Sequence, residues 1–187
     1  MPANSTIAAI IEGAREKFTG FLTQISSDHR YIHEGRAFSY LGTTGALAAA
    51  AKYAITIKTP VDTSGVYVHL RPAKFSATAN TMSLTVAEGS TTTGGSTVVP
   101  FNRNRNSANV SKAVVTAGVT VSVSGTVIER DVVGGGSNPS NNEGGAGGAN
   151  QELVLKPDTL YSIEIVNIGE TTDSTGYFEI FWYEESK

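Results

Sequence analysis

The chain has 187 residues, 40% of them hydrophobic and 17% charged, with a formal net charge of −3 and no cysteine. That is enough apolar material for one core, which excludes wholesale disorder. The missing cysteines exclude disulfides and thiolate metal sites, and the lack of a basic run excludes a phosphate-neutralising surface for nucleic acid. The charged fraction lies below the roughly 25% of an ordinary soluble domain. Ser, Thr, Asn and Gly fill the difference, and such a surface suits faces that end against other proteins, because burying charge is costly, and equally a secreted β-domain or a thermally robust particle component.

Residues Met1 to Phe18 lack the positive start and unbroken apolar run of a signal peptide. No stretch approaches the roughly 20 apolar residues that span a bilayer, so synthesis in the cytoplasm and no membrane partner are expected. Residues 4–26 read as a helix. Ile7, Ile11, Ala14, Phe18, Phe21 and Ile25 recur at spacings of four and three, and Asn4, Ser5 or Thr6 can cap the start. Nearly three heptads are present, which permits packing either on another copy or on the chain's own body. Gly13 and Gly20 each cost about 1 kcal/mol relative to alanine, so this helix needs a partner surface. Residues 1–35 are therefore taken as a helical arm, and 36–187 as a β domain.

His29 and His33 lie four apart beside Asp28 and Glu34, a spacing that lets a helix offer two imidazoles to one metal. Ser26 to Tyr31 reads instead as the end of the helix, and no third ligand is evident. A contact-forming arm is expected here, with no metal or cofactor. His69 alternates with strand residues and is expected to face solvent or a neighbouring subunit.

From Arg36 onward the period changes to two. Alternation runs through 53–58, 66–71, 82–87, 119–124, 161–166 and 178–183, with further strand candidates at 36–42, 97–100, 110–116 and 126–133. Turn chemistry separates them at 60–65, 88–95, 156–158 and 169–176. Eight to ten antiparallel strands without intervening helices predict an all-β fold, an antiparallel β-sandwich or jelly roll with an N-terminal helical arm. The last strand is apolar on both faces, as befits a central strand or one pressed on by a second surface. Residues 43–51 are small and read as a helical turn or an extended link. Residues 134–150 hold seven of the chain's 20 glycines and are expected to form a flexible loop at one end of the sandwich.

Chemistry finds little support. There is no Gly-x-Ser-x-Gly elbow and no phosphate-binding loop. Glu129, Asp131, Glu143 and Glu152 straddle the glycine-rich stretch, which leaves a carboxylate pair open from sequence, but aromatics sit mostly at core-building positions rather than in a cleft. No catalytic residue is assigned.

Several segments carry a resemblance across residues 28 to 187. They are Asp28-His29-Arg30-Tyr31-Ile32-His33-Glu34-Gly35-Arg36-Ala37-Phe38, Ile57-Lys58-Thr59-Pro60, Val68-His69-Leu70, Ala87-Glu88-Gly89, Pro100-Phe101-Asn102-Arg103-Asn104-Arg105, Gly125-Thr126, Leu155 to Tyr161 and Phe181-Trp182-Tyr183-Glu184. In their order and spacing they resemble a family of small structural proteins of tailed bacteriophages that decorate or cement the capsid. The resemblance implies a virion protein on the outer capsid surface, bound to the major capsid protein and commonly a homotrimer. The expected interface is the arm, through Ile7, Ile11, Phe18, Phe21, Ile25, His29, Tyr31, His33, Arg36 and Phe38. An alternative, prompted by the glycine-rich loop and the Tyr and Asn content, is a tail-fibre or tail-tip module that recognises a bacterial surface glycan.

Overall fold

The computed structural model describes residues 27–134, 143–145, 152–169 and 172–186. The helix predicted over 4–26 lies outside them, as do 135–142 and 146–150 of the glycine-rich stretch. A short helix, α1 (Ser27–His33), opens the described chain, and twelve strands follow. They are β1 (Ala37–Leu47), β2 (Lys52–Lys58), β3 (Val66–Ala77), β4 (Met82–Glu88), β5 (Thr91–Val98) and β6 (Phe101–Asn102). After these come β7 (Val114–Val123), β8 (Thr126–Val133), β9 (Glu143–Gly145), β10 (Leu153–Leu155), β11 (Leu160–Asn167) and β12 (Ser174–Ser186). Among the described residues no helix is long and apolar enough to cross a membrane.

The strands form two antiparallel sheets, which is the predicted sandwich. The first runs β10-β3-β12-β1-β6, with β9 also on β3, and the second runs β5-β7-β2-β11-β4-β8. Their inner faces meet in one core, which includes Ile55, Ile57, Leu70, Leu84, Val86, Ile163, Ile165, Ile180 and Trp182. Each large side chain of this kind contributes roughly 1.5–3 kcal/mol by leaving water. The period-two runs read from sequence supply these inward positions because successive strand side chains point to opposite faces.

The structure departs from the sequence reading at 43–47 and over 88–95. Residues 43–47 continue β1 rather than forming a helical turn or link, because Thr43, Ala46 and Leu47 pair with β12 across an irregularity. The turn expected over 88–95 shrinks, since Thr91–Val98 pairs with β7 in spite of Gly94 and Gly95. At Gly95 a Cβ would lie 2.8 Å from the Ala117 carbonyl, so the strand needs glycine for close approach. Pro72 interrupts nothing in β3. It falls between the stretches paired to β10 and to β9, at the slip in pairing with β12, where no ladder hydrogen bond is required of it.

Strand β8 lies at the end of the second sheet, and its register against β4 sets Glu129 beside Val86 and Asp131 beside Leu84. Opposed residues share a face, so both acids point toward the sandwich interior, on the side where Leu84 and Val86 are buried. The register slips next to them, between Val86 and Ala87. Asp131 Oδ1 accepts from the Val132 amide at 2.8 Å, whereas Oδ2 is buried with no hydrogen-bond partner among the described residues. Burial, and then the neighbouring Asp131 charge, push the Glu129 carboxyl above the ordinary carboxylate range.

This raised value has a testable sign. The folded state holds the Glu129 proton more tightly than the unfolded chain, so stability falls as pH rises through the raised value. Glu129→Gln is expected to raise the thermal midpoint at pH 7. The gain should shrink as the pH drops below the ordinary carboxylate value, and a flat difference between pH 4 and pH 8 would count against this account.

Candidate interaction surface

The outer face of the first sheet is the most elaborated surface of the molecule, and it is built on β12. Even-numbered residues of this strand face the core, while Tyr177, Glu179, Phe181, Tyr183 and Glu185 face outward. Phe181 and Tyr183 are too large to leave in water without cost, and α1 and the loop after β6 cover them. Tyr31 of α1 stacks on Tyr183 with centroids 4.2 Å apart, and His69 of β3 stacks near Tyr183 at 4.5 Å. The Arg103 guanidinium lies 4.6 Å over the Phe181 ring, within cation–π range. The expectation that the last strand is either central or pressed on from outside is met both ways, since β12 lies between β3 and β1 beneath this cover.

Polar groups lock the cover in place. The Tyr31 hydroxyl donates to Glu185 at 2.7 Å, and burial followed by that hydrogen bond pushes its pKa up to about 12. Tyr183 donates to Glu152 at 2.6 Å, and His69 Nδ1 lies 2.7 Å from the same carboxylate oxygen. Burial alone would raise the Glu152 carboxyl, but the hydrogen bonds from Tyr183 and His69, with that from Arg71, hold it below the ordinary range. His69 Nε2 sits 3.2 Å from Glu185 Oε2 yet is misaligned for a hydrogen bond. On the core side of β12, buried Glu184 accepts from the Ser111 hydroxyl at 2.6 Å and from the Lys112 and Ala113 amides at 2.8 and 3.1 Å. It thereby ties down the chain entering β7.

The carboxyl end of α1 is held most firmly. Gly35 takes φ +68°, the Gly35 amide donates to Ile32 and the Arg36 amide donates to Tyr31, a Schellman stop. Side chains of the Asn-rich segment then bond the last carbonyls of the helix and its stop. Asn104 donates to His33, Asn109 to Glu34 and Gly35, and Asn102 to Gly35 at 2.8 Å. Arg36 closes the corner by donating to Ser186 at 2.8 Å. The motif at 102–106 is thus a clasp for a helix end, made of neutral amides with two arginines lying over aromatic rings.

The structure sorts the sequence-predicted interface residues. Ile7, Ile11, Phe18, Phe21 and Ile25 lie outside the described residues. His29 and His33 are exposed on α1 with their Nε2 atoms 3.0 Å apart, and Arg36 is half-buried. Tyr31, 6% exposed, and Phe38, 2% exposed, are turned into this chain rather than toward a partner. Phe38 packs in the core 6.1 Å from Trp182, because its register opposite Trp182 places it on the inner face of β1. His69, expected at the surface, is only 8% exposed, because the Tyr183 ring stacks on it and the Glu152 and Glu185 side chains stand at its two ring nitrogens. Nothing in the alternation of β3 could reveal that, since the outer face of an antiparallel sheet is usually wet.

Three of the carboxylates left open by the sequence fall in two separate places. Glu129 and Asp131 face the interior from the second sheet, whereas Glu152 belongs to the network outside the first. A depression of about 470 Å³ lies on the outer face of the second sheet, edged by Arg130, Val132, Val166 and Ile168, with Ser83, Thr85 and a Lys52–Glu164 ion pair at 3.8 Å. No aromatic ring lines it among the described residues.

Gly35→Ala tests the helix clasp. A Cβ there would fall 2.2 Å from Ser107 Oγ and would hold a left-handed conformation costing alanine about 1–2 kcal/mol. A drop of at least about 2 kcal/mol in urea unfolding is expected, with faster amide exchange in α1 than in β2. Unchanged exchange in α1 would mean the clasp does not hold it. Comparisons with protein-family models, with curated proteins and with solved structures found no match to this chain.

Proposed function

We propose that this chain is a non-enzymatic structural protein of a tailed-phage virion that binds the outer surface of the capsid and stabilises it. Its partners in this reading are the major capsid protein and further copies of itself, commonly three. The observation that carries the proposal is the rigid root of the arm. Residues 1–26, with their heptad-like apolar stripe, precede α1 in the chain, and α1 is held on the outer face of the first sheet by the Tyr31–Tyr183 stack, the Tyr31–Glu185 hydrogen bond and the amides of Asn102 and Asn104 at its end. A flexible tether would have to be ordered on binding, at an entropic cost of roughly 1–2 kcal/mol per residue fixed. An arm that leaves its body through a fixed helix starts with part of that ordering done.

The resemblance across residues 28–187 supports the same reading, as does the low charge. A sandwich supplies a stiff body, an arm supplies reach, and repetition in a closed oligomer turns modest contacts into avidity.

The test is reconstitution. Purified chain added to capsids lacking it should bind them and raise the temperature at which they open. Removal of residues 1–26 should weaken binding or oligomer formation while the β-sheet circular dichroism stays intact. Capsids that neither bind the chain nor gain heat resistance would sink the proposal. Localisation to the tail with binding on a glycan array would transfer the role to a tail-borne receptor module.

A further inference from the structure

The arm root carries one constellation that the cover over β12 does not use. In α1, Tyr31 faces the sheet, and Arg30 and Glu34 pair along one flank at 2.7 Å. His29 and His33 stand together on the exposed side, with ring centroids 4.6 Å apart and Nε2 atoms 3.0 Å apart. Helical spacing of four puts the two rings one above the other, and Asn104 bonds the His33 carbonyl at the clasped end of the helix.

We infer that His29 and His33 form a two-imidazole chelate for a divalent transition-metal ion at the base of the arm. With metal–nitrogen bonds of about 2.0–2.1 Å, two nitrogens 3.0 Å apart subtend roughly 91–97° at the metal. That is the cis angle of a square-planar or octahedral centre, whereas a tetrahedral centre would need the nitrogens to open to about 3.4 Å. Imidazole in tetragonal geometry suits Ni(II) and Cu(II) better than structural zinc. Hard cations such as Ca(II) and Mg(II) are disfavoured because they take oxygen ligands. Among the described residues no group of three or more His, Asp or Glu side chains forms here, so two imidazoles make the site proposed.

The composition makes the test clean. The chain has three histidines and no cysteine, and the third histidine, His69, is buried beside Tyr183 and engaged with Glu152. Calorimetric titration of the full, tag-free chain with nickel chloride should therefore read this pair. One ion per chain is expected, and His29→Gln or His33→Gln should each weaken binding by more than about tenfold, since loss even of an outer-shell partner costs 10–100-fold. Both side chains are exposed, so the variants should keep the thermal midpoint of the parent. Wild-type chain that binds no nickel, or variants that bind it as the parent does, would overturn the assignment. Neither result bears on capsid binding, so the two proposals stand or fall separately.

Discussion

A strand with large apolar side chains on both faces has to be covered twice, and most of this molecule follows from covering β12. The inner face needs a second sheet, which supplies the core around Ile180 and Trp182. The outer face carries Phe181 and Tyr183, and no third sheet is present among the described residues. A single short helix does the work instead, with Arg103 laid over the ring that the helix leaves open. A helix of seven residues cannot hold itself together in water. Its stability is borrowed from the Tyr31 stack, from the glycine stop, and from the amides that bond its last carbonyls.

Polar residues in this chain serve structure more visibly than chemistry. Glu184 is buried, yet three donors converge on one of its oxygens, so the entry to β7 is fixed by a carboxylate rather than by apolar contact. Glu88, only partly buried, is likewise held by groups of its own chain. Lys156 and the Tyr161 hydroxyl hold its carboxyl below the ordinary range, while burial first, and then Glu88, push Tyr161 up to about 12. Each such carboxylate is satisfied by neighbours in its own chain, which is how buried charge becomes tolerable.

What could be read in advance follows the physics of each signal. Period-two alternation reports a face, so the sheets, the core of β2, β4, β11 and β12, and the two-sided character of the last strand were legible. The run at 126–133 coincides with β8 to the residue. Alternation says nothing of what lies beyond a face, and so the burial of His69 and Tyr31 was not legible. Phe38 was counted among the interface residues by its place next to the arm, although its register opposite Trp182 makes it core. The Asn-rich segment was read by its arginines, whereas its neutral amides carry the role, a choice that depends on a helix end arriving from 70 residues away.

The two acids of β8 have a meaning for the company this molecule keeps. An end strand offers a row of backbone groups to any passing strand, and identical bodies held side by side are the most frequent visitors. A visitor pairing with β8 would have to continue both sheet faces past Glu129 and Asp131, and past the slip in register beside them. Inward-turned charge and a local kink make that continuation unfavourable. The strand thus gives up some of its own stability to stay a boundary. Edge-to-edge pairing of copies through β8 is thereby disfavoured.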